Sequence, residues 1–331
     1  MAMMKVFRIR EQDRKSLAGF EQIDIGDLDP GEVVIKVAYS GINYKDALAA
    51  TGAGKVVRRF PCVGGIDLAG TVESSSDARF KAGDQVIATS YDLGVAHDGG
   101  YAEFARVPAE WVLPLPSGLS LLESMALGTA GYTAGLAILQ MEHNGLKPAQ
   151  GPVIVTGATG GVGSLAVDML CTLGHEVVAV TGKAAEVPFL TGLGASEVRL
   201  RQSIDLSKIR PLDKALWAGA VDNLGGDLLA WIASTMKDEG TIASIGLAAS
   251  MSLNTTVAPF ILRGVKLLGI NSVTTPMQTR RRVWDRLASD LKPRHLDSIA
   301  RVISFDELPG AFDAFIKSRV RGRIVVAIAK P

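Results

Sequence analysis

The sequence predicts an α/β protein in which a β-rich N-terminal region precedes a doubly wound parallel sheet. Three observations predict this class. Short apolar strand candidates, separated by Gly, Pro and Asp turns, fill residues 1 to about 124. From Gly151 onward, strand candidates alternate with helix candidates, as they do in parallel sheets that are covered on both faces. A glycine-rich loop, GATGGVG, occupies residues 157–163 between the first strand and the first helix of that alternation.

The N-terminal region begins with a strand candidate and ends in a proline-rich loop. Residues 1–10 alternate charged and apolar positions and lack the long apolar core of a signal peptide. The later strand candidates are residues 33–39, 70–72 and 84–88. Prolines 108, 114 and 116 mark the closing loop, and a helix is predicted to begin near Leu121.

The alternating strand and helix candidates from Gly151 onward predict the second domain. Its strand candidates are residues 153–156, 176–181, 197–200, 217–222, 241–245 and 265–270. Its helix candidates include residues 164–173, 184–193 and 228–236. A last strand candidate, residues 323–328, is expected to return to the N-terminal region. The sequence therefore predicts two domains, residues 1–124 with 273–331, and residues 125–272.

The glycine loop has the order strand, glycine turn and helix that a dinucleotide-binding βαβ unit requires. Gly157 allows the chain to turn sharply off the strand. Gly160 and Gly161 have no side chains, so the backbone can approach a pyrophosphate. Gly163 allows close packing of the helix, whose first N–H groups point at the phosphates. The alternative is an ordinary turn that uses glycine only for positive φ.

The end of the next strand predicts which dinucleotide binds. An NAD site usually has Asp or Glu there to bind the adenosine ribose. This chain has Thr181, Gly182 and Lys183 instead, and Arg201 follows the next short strand. These residues favour a 2′-phosphate and hence NADPH, whereas a solvated loop lysine is the alternative reading of Lys183.

Composition excludes several classes of function. The net charge of +1 and the absence of a long charged run give no support for nucleic-acid binding. Two cysteines cannot build a disulfide framework or a four-thiolate zinc site. The uncharged stretch from Gly240 to Leu262 contains Asn254, Pro259 and several hydroxyl residues, so we interpret it as strand, loop and short helix rather than a membrane span. We expect a soluble, cytoplasmic protein.

Several motifs resemble the medium-chain dehydrogenase/reductase superfamily over essentially the whole chain. They are residues 43–48 (NYKDAL), 60–61 (FP), 65–70 (GIDLAG), 128–134 (GTAGYTA) and 259–263 (PFILR). Together they resemble the zinc-free quinone oxidoreductase branch that contains NADPH-dependent acrylyl-CoA reductases. The resemblance implies a GroES-like catalytic domain joined to a Rossmann NADPH-binding domain.

Zinc alcohol dehydrogenases of this superfamily have a Cys in the first motif and Gly-His-Glu in the second. Here the first motif begins with Asn43, and the second places Ile66 and Asp67 after its glycine. Ile66 cannot bind a metal, and Asp67 alone cannot hold catalytic zinc. The four histidines fall in no metal-ligand spacing. We therefore predict no metal.

The resemblance implies reduction of an activated C=C bond. Tyr44 is the candidate for polar contact with the nicotinamide or the enolate and for proton delivery, and packing against the cofactor is its alternative role. Asn43 and Asp46 are candidates for orienting it or for bridging the two domains, and the alternative role of Asp46 is that of a turn or helix-cap residue. Further cofactor contacts that the resemblance implies are Tyr44, Thr129, Thr159, Gly160, Gly161, Val162, Thr181, Gly182, Lys183, Arg201, Leu247, Ile261 and Ser272. Arg323 is a further candidate for reaching the cofactor cleft.

The leading functional prediction is NADPH-dependent reduction of acrylyl-CoA to propanoyl-CoA. The alternatives are quinone or enone reduction and a non-catalytic NADPH-binding sensor. Two cation clusters, residues 55–59 and the helix residues Arg280–Arg282, are candidates for CoA phosphates or are solvated surface charge. No nucleic-acid or membrane partner is expected. The family architecture implies a homodimer through the segment 265–270.

Overall fold

A computed structural model of the chain describes residues 3–13 and 15–328. Its strands are β1 (Met3–Gln12), β2 (Lys15–Asp24), β3 (Val33–Ile42), β4 (Cys62–Val63), β5 (Asp67–Ser75), β6 (Gln85–Thr89), β7 (Phe104–Val107), β8 (Val112–Pro114), β9 (Val153–Val155), β10 (Val177–Thr181), β11 (Glu197–Leu200), β12 (Trp217–Asp222), β13 (Met236–Ser244), β14 (Lys266–Gly269), β15 (Ala300–Ser304) and β16 (Arg323–Ala327). Its α-helices are α1 (Tyr44–Thr51), α2 (Leu121–His143), α3 (Gly161–Thr172), α4 (Val187–Gly192), α5 (Gly226–Ser234), α6 (Ala258–Leu262), α7 (Met277–Leu287), α8 (Leu296–Ile299) and α9 (Leu308–Ile316).

Two compact units divide the chain. Unit 1 consists of Met1–Thr129, Val273–Ala288 and Leu296–Pro331, and unit 2 consists of Ala130–Ser272 and Ser289–His295. The segment Ser289–His295 was predicted with the N-terminal region. It packs in unit 2 because the buried Asp168 carboxylate accepts the backbone N–H of His295 at 2.8 Å. The domain limits at residues 124 and 272 stay a prediction.

Unit 2 contains a parallel six-stranded sheet with the order β11-β10-β9-β12-β13-β14. The order reverses between β9 and β12, as it does in a doubly wound dinucleotide-binding fold. β9 and β10 are entirely buried, and every position is apolar except Thr181 at the end of β10, as expected for central strands with helices on both faces. The predicted doubly wound parallel sheet is confirmed.

Unit 1 is built around a sheet with the order β15-β16-β3-β5-β6-β8, in which β7 also pairs with β3. The predicted return of the C-terminal strand is confirmed, since β16 pairs antiparallel with residues 39–42 of β3. A smaller sheet, β2-β1-β4, packs beside it, because Phe7 of β1 belongs to the same buried core and Phe20 of β2 packs against that core. Apolar residues of β3, β5, β6 and α9 share one buried core.

Helix α2 is broken at Gly128, whose φ of 51° and ψ of −155° lie outside the helical region. A residue with a Cβ rarely adopts this conformation, so the break depends on the glycine. The break turns the backbone N–H of Thr129 toward the start of β5. Among the described residues, no helix is long and apolar enough to cross a membrane.

Candidate active site

The glycine loop lies at the carboxyl edge of the unit 2 sheet, between β9 and α3. Gly157 has a φ of 57°, so the sharp turn needs its conformational freedom. A Cβ on Gly163 would lie 2.4 Å from the Gly157 carbonyl oxygen, so a larger residue cannot occupy this first turn of α3. The N-terminus of α3 therefore sits against a compact backbone loop, which is the geometry that binds a pyrophosphate.

A buried hydrogen-bonded cluster holds the ends of β9 and β12 together beside this loop. The Thr156 hydroxyl donates to Asp222 Oδ1 at 2.7 Å and accepts the backbone N–H of Asn223 at 2.9 Å. Asp222 Oδ2 accepts the N–H of Gly225 at 2.8 Å. Burial raises the pKa of Asp222, although these donors oppose the shift. The sequence did not predict this cluster, because Asp222 was identified only as the last residue of a strand candidate.

The end of β10 carries a hydroxyl and a cation. The Thr181 hydroxyl oxygen accepts the backbone N–H of Lys183 at 3.0 Å. Burial lowers the pKa of the Lys183 amine, and Glu186 opposes that shift. β11 pairs parallel with β10, with Leu200 opposite Thr181, so the exposed Arg201 lies at the same edge of the sheet as Lys183. No acidic side chain occupies residues 181–183.

The other predicted cofactor contacts of unit 2 divide into two groups. Leu247 follows β13 and Ser272 follows β14, so both lie beyond the carboxyl ends of parallel strands. Thr159 and Val162 of the glycine loop lie at the same edge of the sheet, because they follow β9. Ile261 lies on the short helix α6 with 71% of its surface exposed, and it does not directly follow a strand of the sheet. Its contact with a cofactor therefore stays a prediction from resemblance.

Unit 1 contains a second cluster of polar residues, centred on the fully buried Asp67 at the start of β5. Asp67 Oδ1 accepts the Thr129 hydroxyl at 2.5 Å. Asp67 Oδ2 accepts the Thr129 backbone N–H at 2.9 Å and the Asn43 Nδ2 amide at 2.8 Å. The Ser90 hydroxyl lies 2.9 Å from Thr129 Oγ1. Asp67 thus connects two predicted site residues, Asn43 and Thr129, through hydrogen bonds. From the sequence, Asp67 was considered only as a zinc ligand, and this role was not predicted.

Asp46 caps helix α1 from within the core of unit 1. Its Oδ2 accepts the Asn43 backbone N–H at 2.8 Å, and its Oδ1 accepts the Ile66 backbone N–H at 3.0 Å. Burial raises the pKa of Asp46 to about 7, and the neighbouring Asp67 charge contributes to the rise. The Tyr101 hydroxyl interacts with the same carboxyl group and donates to the Gly41 carbonyl at 3.1 Å. The helix-cap alternative for Asp46 is therefore observed, and a carboxyl that titrates near neutral pH accompanies it.

Tyr44 is the first residue of α1 and lies outside this core. Its side chain is half exposed, at 52% of its full surface. Asn43, directly before it, uses its amide to join Asp67 and Arg323, with Arg323 Nη1 donating to Asn43 Oδ1 at 3.0 Å. The phenol hydroxyl of Tyr44 is therefore carried by a backbone segment that the Asp67 cluster fixes. The catalytic roles of Tyr44, Asn43 and Asp46 stay predictions.

Arg280 contradicts the prediction that residues 280–282 form an exposed cation cluster. Its side chain is 1% exposed, whereas Arg281 and Arg282 on the same helix α7 are exposed. Its guanidinium donates to Thr89 Oγ1 at 3.0 Å and lies over the ring of Tyr91 at 4.5 Å. Arg280 is thus a buried cross-link of unit 1, because β6 and the Tyr91 ring provide acceptors and a π-face for it.

The other cation cluster is largely neutralised by carboxylates. Arg58 is paired with Asp92, and Arg59 is paired with Asp29 and lies 3.6 Å from Asp98. Both arginines thus already have anionic partners within unit 1. A phosphate would have to compete with those carboxylates, which weakens the interpretation of this cluster as a CoA site.

The residues of unit 1 do not fit a catalytic zinc ion. The two motifs that provide ligands in zinc alcohol dehydrogenases carry Asn43, Ile66 and Asp67 here, and the Asp67 carboxylate already accepts three hydrogen bonds. Catalytic zinc needs about three protein ligands, usually imidazole, thiolate or carboxylate. Within residues 3–13 and 15–328, no group of three or more His, Cys, Asp or Glu side chains is arranged to hold a metal ion.

Comparison with family models gives two matches. The alcohol dehydrogenase GroES-like domain matches residues 29–117, and the zinc-binding dehydrogenase domain matches residues 161–289. The first match falls in unit 1 and the second falls mostly in unit 2.

Two curated relatives align over nearly the whole chain. The protein named "Putative quinone oxidoreductase YhfP" of Bacillus subtilis is 51% identical over 92% of this chain and 93% of its own length. The acrylyl-CoA reductase AcuI of Ruegeria pomeroyi is 47% identical over 96% of each chain.

Two similar crystal structures contain nicotinamide dinucleotides. The yhdH oxidoreductase of Salmonella enterica, in complex with NADP, has a TM-score of 0.95 and 44% identity, covering 98% of this chain and 100% of its own. The yhfP protein of Bacillus subtilis, with NAD bound, has a TM-score of 0.97 and 48% identity, covering 99% of this chain and 100% of its own. The fold, a GroES-like region with a Rossmann-type parallel sheet, is therefore shared with proteins that bind this class of cofactor.

Proposed function

The chain belongs to the medium-chain dehydrogenase/reductase superfamily, and from this membership we propose that it reduces the C=C bond of a short 2-enoyl-CoA with NADPH. Acrylyl-CoA is the proposed substrate and propanoyl-CoA the product. The observation that carries the proposal is the 47% identity, over 96% of both chains, to an acrylyl-CoA reductase. A zinc-dependent alcohol oxidation is not proposed, because the donor set around Asp67 does not suit zinc.

The coenzyme is proposed to be NADPH, held by unit 2. The N-terminus of α3 and the glycine loop offer backbone N–H groups to the pyrophosphate. Lys183 and Arg201 offer two positive charges at the strand ends where the adenosine ribose of a doubly wound fold lies. The NADP-bound relative supports this assignment, while the NAD-bound relative makes coenzyme preference a point to measure.

Bound NADPH supplies a hydride, which adds to the carbon β to the thioester carbonyl. The chain then has two tasks, to hydrogen-bond the oxygen of the resulting enolate and to supply a proton to the carbon next to the carbonyl. We assign the phenol of Tyr44 to hydrogen bonding and proton delivery, because it is half exposed and lies next to the fixed Asn43. Asn43 orients this segment rather than the substrate, since its amide already joins Asp67 and Arg323.

The direct test of the function is turnover of acrylyl-CoA with NADPH, followed by the loss of reduced-coenzyme absorbance. Tyr44→Phe should lower kcat by about 10- to 100-fold with little effect on the Kd for NADPH, as expected for loss of one acid–base group. No turnover by the wild-type protein would refute the proposal. A higher kcat/KM for a quinone than for the CoA ester would favour the quinone reductase alternative, and tight NADPH binding without any turnover would favour the sensor.

The coenzyme assignment has a separate test in Lys183→Glu. A carboxylate at this position repels a 2′-phosphate, so the Kd for NADPH should rise by about 10- to 100-fold while the Kd for NADH changes little. Lys208→Glu, on an exposed loop of the same unit, is the matched control for the change in net charge. An equal change in the affinities for both coenzymes would contradict the assignment of Lys183.

Two further expectations are proposals of the same kind. A homodimer is proposed through the segment 265–270, because β14 ends the sheet order of unit 2 and its Leu267 is partly exposed. A cytoplasmic location is proposed on the sequence alone. Sedimentation of the purified protein would test the first, and a monomer at micromolar concentration would refute it.

A further inference from the structure

Arg323, the first residue of β16, is buried at 2% exposure inside unit 1, and its guanidinium contacts three chain segments. Nε donates to the Ala126 carbonyl at 3.1 Å, and Nη2 donates to the Met125 carbonyl at 3.4 Å. Nη1 donates to the Ile42 carbonyl and to Asn43 Oδ1, both at 3.0 Å. The guanidinium therefore ties the end of β3 to α2.

The same guanidinium is the positive charge beside Asp67, with Nη2 at 3.8 Å from Asp67 Oδ2. Asp67 is completely buried, so its charge needs a partner in this low-dielectric surrounding. Burial lowers the pKa of Arg323, and the charges of Asp67 and Asp46 oppose that shift. The cation and the carboxylates thus stabilise one another.

Two glycines make room for this cation. A Cβ on Gly41 would lie 2.8 Å from Arg323 Nη2. A Cβ on Gly128 would lie 2.6 Å from both Arg323 Nη2 and Asp67 Oδ2. Gly128 at the break in α2 and Gly41 near the end of β3 therefore both allow the backbone to approach the guanidinium closely.

We propose that Arg323 is a positioning residue that serves as the resident cation of the site, fixing Asn43, Asp67 and Thr129 as a metal ion with several ligands would. This inference rests on the proposed function, because it assigns these three residues to the reductase site. The guanidinium is bonded to Asn43 and paired with Asp67, which belong to the two motifs that supply zinc ligands in the alcohol dehydrogenases. A planar cation with five N–H groups is suited to this task.

The arrangement also fixes the direction of the Thr129 hydroxyl. Thr129 donates its hydroxyl proton to Asp67 Oδ1 at 2.5 Å, so the Ser90 hydroxyl 2.9 Å away acts as donor to Thr129. Loss of the Arg323 guanidinium would remove the group that holds Asn43 and Asp67 in place, so the two hydrogen bonds from Thr129 to Asp67 would weaken.

The experiment compares Arg323→Lys and Arg323→Ala with Arg319→Ala, which removes an exposed arginine of the same unit. Arg323→Lys keeps the charge but loses the planar fork, so we expect kcat with acrylyl-CoA to fall by about 100-fold or more. The Kd for NADPH should stay within about 3-fold, because the proposed phosphate contacts belong to unit 2. Added methylguanidinium should restore part of the activity of Arg323→Ala, and methylammonium should not.

The inference is overturned if Arg323→Lys retains kcat within about 3-fold of the wild type, or if methylammonium rescues Arg323→Ala as well as methylguanidinium does. Hydrogen exchange of the Thr129 amide gives a readout that needs no substrate. This N–H is bonded to Asp67, so its exchange should be about 10-fold faster in Arg323→Lys and unchanged in Arg319→Ala. An inactive wild-type protein would refute the proposed function alone, and unchanged exchange at Thr129 would still refute the inference.

Discussion

Asp46→Asn offers the sharpest test of the electrostatics of unit 1. The Asp46 carboxyl is fully buried, and its pKa is raised to about 7 from an ordinary value of 3.8. A difference of about 3 pH units corresponds to about 4 kcal/mol of preference for the neutral form in the folded state. The contribution of Asp46 to the free energy of unfolding therefore decreases as the pH rises.

The sign follows from the raised pKa. Below about pH 4, Asp46 is protonated in both the folded and the unfolded chain, and its contribution to stability is complete. Between about pH 4 and pH 7 the unfolded chain releases the proton and the folded chain retains it, so the free energy of unfolding decreases. Above about pH 7, the full cost of about 4 kcal/mol is present.

Asparagine removes this titration at its own cost. Its single acceptor oxygen can serve either the Asn43 N–H or the Ile66 N–H but not both, which costs about 1–3 kcal/mol at every pH. Asp46→Asn should therefore be less stable than the wild type near pH 5. The difference should shrink or reverse near pH 8, because only the wild type then contains a buried carboxylate.

The assay is urea unfolding at a series of pH values, with the difference in unfolding free energy between variant and wild type plotted against pH. Asp238→Asn, at an exposed position of β13, is the control for loss of one carboxylate. A difference between Asp46→Asn and the wild type that is constant from about pH 4 to about pH 8 would refute the reasoning. Such a result would mean that Asp46 titrates alike in the folded and the unfolded chain.

Two further predictions concern unit 2. Burial lowers the pKa of His175, so the unfolded chain binds a proton more readily than the folded chain does. The free energy of unfolding of the wild type should therefore decrease as the pH falls below about 6.5. Urea unfolding of His175→Gln should show a weaker decrease, and the same pH dependence in the variant and the wild type would contradict this prediction. Gly163→Ala places a Cβ 2.4 Å from the Gly157 carbonyl oxygen, so it should weaken NADPH binding by about 10-fold or more by fluorescence titration. Gly192→Ala, where a Cβ meets nothing within 4 Å, is its control, and equal NADPH affinity in both variants would refute a close-packed loop.

The sequence predicted the parts of this fold that depend on local pattern. Alternating strand and helix segments predicted the parallel sheet of unit 2, since buried strands and amphipathic helices differ in the period of their apolar residues. The strand, glycine turn and helix around residues 157–163 were predicted because the three elements are contiguous in the chain. The apolar run in residues 323–328 predicted a last strand, which was expected to return to the N-terminal region, and its partner β3 was found only in the structure.

The polar cluster of unit 1 could not be predicted in the same way. Asp67 and Arg323 are far apart in the chain, and no periodicity reports that their side chains meet. Arg280 was misread for a related reason, because three consecutive arginines indicate a solvated helix unless their acceptors are known. Only the tertiary structure supplies those acceptors, the Thr89 hydroxyl for Arg280 and the backbone carbonyls of α2 for Arg323.

The pairing of β16 with β3 has a consequence for synthesis of the protein. The ribosome makes β3 long before it makes β16, the strand that covers residues 39–42, because 281 residues separate Ile42 from Arg323. Until β16 is made, residues 39–42 of β3 present an unpaired edge of the kind that promotes aggregation. A fragment that ends before residue 323 would keep this edge open permanently, so C-terminal truncations should be insoluble even though they retain the entire nucleotide-binding sheet.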